Sequence, residues 1–193
     1  DRNHPVKSQR PIANSDLSQR SAMTMAPLLI LGSLSVGFSI STSLGISLAV
    51  YVSINILYSI KVKAIPYLEL LLVSSGFVIR AIAGGIASGI PLSFWFISVI
   101  SCASFFMVAG KRYAELSQYE IDRTRPVLSR YTLRTLEVLR IVSTVLAVIT
   151  YGFWLSQTST TRGTFAILSL LIFIVTISRY NFRVQQGYGE DPI

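Results

Sequence analysis

One cysteine, Cys102, and one histidine, His4, are all that 193 residues contain of the two side chains most used for metal and nucleophile chemistry. A lone cysteine forms neither an internal disulfide nor a thiolate metal cluster, and one histidine leaves no histidine-rich metal site and no Ser-His-Asp triad. Acid is scarce too: nine Asp and Glu stand against seventeen Lys and Arg, and charged residues of all kinds make up only 13% of the chain. Soluble domains carry about 25% charged residues, which excludes a water-soluble globule. The net charge of +8 also suits nucleic acid, yet no nucleic-acid motif accompanies it, and basic loops beside membrane helices arise from topology alone. Nucleic acid is therefore not expected as a partner. Absent as well are an internal repeat, a low-complexity tract and a signal peptide, whose apolar core the first segment lacks. What the chain has in quantity is apolar surface, with 51% hydrophobic residues and a mean hydropathy of +0.57.

A hydrocarbon core about 30 Å thick takes roughly 20 apolar residues per helix. Six such stretches fall near 23–40, 43–60, 66–89, 92–110, 138–156 and 164–180. A closed β-barrel is the other structure that satisfies backbone groups in lipid, but these runs are continuous and do not alternate. The expected fold is all-α, a single polytopic transmembrane helical bundle over residues 1–193, with polar segments at 1–22 and 111–137. Only the Ser-rich Ser39–Ser43 stretch separates the first two runs, so one long broken segment is the alternative there. Laid out this way, fifteen Lys and Arg, including Arg112 and Arg140, fall on one face; Arg162 alone falls on the other and Arg80 inside a helix. By the positive-inside rule the basic face is expected to be cytoplasmic. Cys102 sits among apolar residues of the fourth run and is expected to be inert packing. The G-x-x-x-G spacing within Gly84–Gly89 more often serves close helix approach than phosphate binding.

Three clusters near the basic face carry chemistry. The opening segment holds Asp1, His4, Pro5, Lys7, Arg10 and Pro11. Its two prolines argue for an irregular loop that fixes Lys7 and Arg10, a clamp suited to phosphate. Asp1 beside such cations makes sense if a divalent ion bridges it to the phosphates, although by charge alone a solvated juxtamembrane loop is the preferred account. The second cluster is Lys61 and Lys63, followed by Glu69 and, about 20 Å into a helix starting near Pro66, by Arg80. An ionisable group that deep faces a polar cavity or a partner. The third is Lys111, Arg112, Tyr113 and Glu115, where a continuing helix would put Lys111 and Glu115 on one face. The long polar segment after it carries Arg123, Arg125, Arg130 and Arg134, suited to phosphate or to anionic lipid.

Taken together, Asp1-Arg2-Asn3-His4-Pro5 through Arg10-Pro11-Ile12-Ala13, the run Gly76–Gly85, Gly110-Lys111-Arg112-Tyr113-Ala114-Glu115-Leu116 and Arg125-Pro126-Val127-Leu128 with Tyr131-Thr132 resemble the UbiA superfamily of membrane prenyltransferases. The likeness covers essentially the whole chain and is greatest to the branch that acts on decaprenyl phosphate. It implies a bundle of about nine helices whose first Asp-rich motif, N-D-x-x-D-x-x-x-D, ends at Asp1. The chain, opening on Asp and not Met, is accordingly expected to be a fragment lacking the first two helices and the last. Where aromatic prenyltransferases of the superfamily carry a second Asp-rich motif, this chain has Lys111-Arg112-Tyr113-Ala114-Glu115, a departure that favours the phosphoribosyl branch. The resemblance then implies transfer of 5-phosphoribose from phosphoribosyl pyrophosphate to a polyprenyl phosphate, with Mg²⁺. In that reading Asp1 holds Mg²⁺ and Lys7 and Arg10 bind donor phosphates. Lys111, Arg112 and Glu115 contact the 5-phosphate or ribose hydroxyls, and Arg80 a deeper phosphate. His4, Lys61, Lys63 and Tyr113 complete the substrate contacts. The alternatives are a prenyltransferase using a prenyl diphosphate and a small acceptor, and a non-catalytic transporter or assembly subunit.

Overall fold

The computed structural model describes residues 11–12, 14–118, 127–157 and 163–188. Among these residues the chain is all-helical. Six helices, α1 (Gln19–Ile40), α2 (Thr42–Ile60), α3 (Leu68–Ser88), α4 (Phe94–Gln118), α5 (Leu133–Gln157) and α6 (Gly163–Gln185), are each long and apolar enough to cross a membrane. Two short 3₁₀ turns, Val62–Ala64 and Leu128–Arg130, join them.

The chain divides into two compact units, residues 1–52 and 53–193. In the first, Ser18 caps α1 by accepting the Ser21 N–H at 3.0 Å. The two apolar runs are separate helices and not one broken segment. Ser41 turns extended, with φ −160° and ψ 150°, and its hydroxyl accepts the Leu44 N–H at 3.1 Å to start α2. The helices then close on glycine. A Cβ on Gly37 would meet Leu48 Cδ1 at 2.5 Å, and one on Gly45 would overlap the Phe38 ring. Gly45→Ala is therefore expected to cost about 1–3 kcal/mol by overpacking, with Phe38→Ala relieving part of that loss in the double variant. Thermal unfolding of the three proteins in detergent checks this.

In the second unit α4 packs against α3, α5 and α6. One core cluster joins Leu70, Val108, Val127, Tyr131 and Leu136, and the other joins Phe106, Ala147, Ile177, Tyr180 and Val184. Toward the opposite helix ends Trp95 stacks on Phe153 with centroids 4.6 Å apart, as suits a membrane interface, and midway along α6 Tyr151 stacks on Phe173 at 4.3 Å. Phe165, Leu168, Leu171 and Val175 of α6 are exposed, a face suited to lipid. The glycine run ends α3: Gly89 takes the left-handed φ of +68° at the C-cap. A Cβ on Gly85 would press on the returning chain, 2.8 Å from Leu92 Cγ and 3.0 Å from the Ile90 carbonyl. That run therefore serves packing and chain reversal.

The polar segments are shorter than sequence alone suggests. α1 begins at Gln19, inside the 1–22 stretch, and the stretch expected as a loop over 111–137 is helical at both ends, because α4 runs on to Gln118 and α5 starts at Leu133. No glycine or proline lies between Gly110 and Pro126 to stop α4 early, and Arg112 pairs with Glu115 one turn on, at 2.8 Å. Thr132 caps α5 by accepting the Thr135 N–H at 3.1 Å.

Candidate functional site

The start of α3 and the ends of α4 and α6 meet the start of α5, and polar side chains are buried there. Pro66 and Tyr67 set the entry. Tyr67 adopts a positive φ of 63°, unusual for a bulky residue, and its N–H donates to the Tyr131 hydroxyl at 2.7 Å, with the two rings edge to face at 5.2 Å. Burial pushes the Tyr131 phenol up to about 12, against the opposing effect of the Tyr67 N–H. Tyr131 therefore stays neutral across the ordinary pH range and keeps α3 pinned there.

Two residues after Tyr67, Glu69 enters the interior with no exposed surface. Its carboxylate takes a two-pronged contact from Arg112, Nε donating to Oε1 at 2.8 Å and Nη2 to Oε2 at 3.1 Å. The third nitrogen, Nη1, donates to Oε2 of Glu115 at 2.8 Å. Arg112 and Glu115 are themselves 4% and 6% exposed. Two carboxylates thus share one guanidinium, and Glu115 Oε1 has no hydrogen-bond partner among the described residues. An unmet buried acceptor costs about 1–3 kcal/mol, and more when charged, so this atom calls for a donor.

Beside the triad, the ring of Tyr113 lies under the Arg140 guanidinium, 5.1 Å from centroid to Cζ. Arg140 is 1% exposed; its Nη1 donates to the side-chain and main-chain oxygens of Asn181 on α6, and its Nε is unpartnered among the described residues. The Asn181 amide donates in turn to Thr144 Oγ1 at 3.4 Å. Arg112 and Arg140, counted from sequence among the charges that set topology, are buried ties between helices. The reason for Arg140 is that α5 starts at Leu133, which places it nearly two turns inside the helix and not at its mouth.

The sequence-derived candidates divide. Arg112, Tyr113 and Glu115 come together, joined by Glu69 and Arg140, which the sequence reading left outside the site. Lys111 is half-buried at the same end of α4, and Lys61 and Lys63 are exposed between α2 and α3. Arg80 is exposed, with its guanidinium over the Phe77 ring at 4.4 Å, and at 1.5 Å per residue it stands about 16 Å along α3 from Glu69. Asp1, His4, Lys7 and Arg10 lie outside the described residues, as do Arg123 and Arg125. Glu69 had one legible signal: it is a rare acid in the first turn of an apolar helix, where an unpaired charge is costly.

Next to the polar end is an apolar cavity of about 560 Å³ between α3, α4 and α5, lined by residues including Leu71, Val78, Cys102, Phe105 and Leu146. Its serines turn back on their own helices, Ser74 to the Leu70 carbonyl at 2.7 Å and Ser101 to that of Ile97 at 2.8 Å. The wall is therefore hydrocarbon. Leu71 is two residues from Glu69, and Phe105 two turns before Arg112.

A multi-pass helical bundle with a buried ionic cluster at its basic end and an apolar cavity behind it is the class this geometry defines. The chain belongs to the UbiA prenyltransferase family, which it matches over residues 1–192. It is similar to the decaprenyl-phosphate phosphoribosyltransferases of Mycobacterium tuberculosis, 37% identical over 196 residues, and of Corynebacterium glutamicum, 40% over 201 residues. That of Mycolicibacterium smegmatis is 36% identical over 203 residues. Each likeness covers 100% of this chain and 64%, 60% and 64% of the respective relative. The chain thus spans somewhat under two thirds of the length of these relatives.

Proposed function

We propose that the protein to which this chain belongs transfers 5-phosphoribose from phosphoribosyl pyrophosphate to a polyprenyl phosphate, releasing pyrophosphate. The observation that carries this reading is the likeness to phosphoribosyltransferases along the whole chain. The site is in keeping with it: a basic end suited to a highly anionic, water-borne donor adjoins a hydrocarbon-walled cavity suited to an isoprenoid tail. The reading places the protein in a bacterial cytoplasmic membrane with the basic end toward the cytoplasm.

In the proposed reaction a lipid phosphate oxygen attacks the anomeric carbon, a new C–O bond forms, and the bond to pyrophosphate breaks with its electron pair leaving on pyrophosphate. The attacking oxygen is already ionised, so no strong base is required. Lys7 and Arg10 bind donor phosphates and stabilise the charge that develops on the leaving group. The resemblance assigns further donor contacts to Lys111, His4, Lys61 and Lys63. Arg112 has three of its five N–H groups committed to carboxylates, so its contribution comes through the remaining two. Arg80, exposed and about 16 Å along α3 from Glu69, takes no part in the step. Among the described residues no group of three or more Asp, Glu, His or Cys offers a metal site, and both Glu69 oxygens are taken by Arg112. Mg²⁺ is proposed on Asp1, as the family resemblance implies, where it would neutralise pyrophosphate charge.

In the intact protein, pyrophosphate release is expected to require phosphoribosyl pyrophosphate, polyprenyl phosphate and Mg²⁺ together. Release from a prenyl diphosphate with an aromatic acceptor would move the assignment to the other branch of the family. Silence with both donors would favour a non-catalytic role.

A further inference from the structure

We infer that Glu69 is a positioning residue, which keeps Arg112 from closing on Glu115 and so reserves Glu115 Oε1 as the acceptor for a sugar hydroxyl of the donor. The inference rests on the proposed phosphoribosyl transfer and deepens it.

Arg112 stands between two carboxylates, and its fork is taken by Glu69 through Nε and Nη2. Glu115, one turn along the same helix, receives only Nη1, on Oε2. Nothing among the described residues occupies Oε1, although the atom is closed off from solvent. Remove the Glu69 charge, and the guanidinium is free to turn its fork on Glu115 and take both oxygens, the geometry that an Arg–carboxylate pair prefers. Glu69 is therefore what leaves one oxygen of Glu115 available. Its own oxygens are both engaged, so the two carboxylates do not form a ready metal site. A phosphate is ruled out as the partner of Oε1 by like charge. A neutral donor fits, and the neutral donors of a phosphoribosyl group are its ribose hydroxyls. Glu69 touches no substrate in this arrangement; it acts through Arg112 and Glu115.

The test uses the intact enzyme with Glu69→Gln, Glu115→Gln and the double variant, assayed with phosphoribosyl pyrophosphate and with its 2-deoxy and 3-deoxy analogues. Each single variant is expected to lower kcat/KM for the normal donor by about tenfold to a hundredfold, the size of one hydrogen bond to a charged group. The KM for polyprenyl phosphate stays unchanged. The double variant is no worse than Glu115→Gln alone. Wild type discriminates against one of the deoxy donors, and both single variants lose that discrimination. Penalties that multiply in the double variant, or discrimination that survives in Glu69→Gln, would overturn the inference. Glu69→Asp keeps the charge and is the substitute should Glu69→Gln not assemble; it then retains wild-type discrimination, and loss of discrimination with that charge still present counts against the inference. A wild type inert toward phosphoribosyl pyrophosphate would instead overturn the functional reading beneath it.

Discussion

Replacing Arg112 with Ala is expected to destabilise the protein by about 3–5 kcal/mol, the cost of leaving buried charge without its partner. Glu69 has no exposed surface and Glu115 very little, so both carboxylates lose their partner inside the protein once the guanidinium is gone. The same reasoning predicts a recovery. Replacing all three members with apolar residues of similar size, Glu69→Leu with Arg112→Met and Glu115→Leu, removes every buried charge together. Such replacements are often neutral or stabilising, so thermal stability should return toward wild type while turnover stays lost. Stability measured in detergent beside turnover checks both halves. Equal stability of Arg112→Ala and wild type would mean that the triad is not a closed ionic cluster in the native protein.

Lys7→Ala and Arg10→Ala in the intact enzyme should each lower turnover about a hundredfold to a thousandfold, the range seen when one donor to developing charge is removed. The argument is chemical. Departing pyrophosphate gathers negative charge in the transition state, and the two cations are separated by only two residues in the sequence. The loss should fall on kcat and on the donor, with the lipid acceptor's KM left alone. Near-normal turnover in either variant would remove that residue from the site.

Much of this architecture is legible in the sequence, because a membrane permits few solutions. Six apolar runs become six helices, and the boundaries shift most where polar residues continue a helix out of the hydrocarbon, as at Lys111–Gln118 and Leu133–Glu137. Positional charge counting also conceals what Arg112 and Arg140 do. A cation near a helix end looks the same in sequence whether it faces water or a buried partner. Only the 43-residue separation between Glu69 and Arg112, closed by packing of α3 on α4, tells the two apart. Likewise Gly45 gives no sign in sequence that Phe38 lies against it. Motif likeness marked Arg112, Tyr113 and Glu115, and it could not mark Glu69 or Arg140, which lie outside the motifs.

The most direct measurement is the mass of the lipid product formed by the intact protein from polyprenyl phosphate and phosphoribosyl pyrophosphate with Mg²⁺. The account predicts a polyprenyl phosphate enlarged by one phosphoribosyl group, formed in step with pyrophosphate. An unchanged lipid with this donor, alongside prenylation of a small acceptor from a prenyl diphosphate, would contradict it.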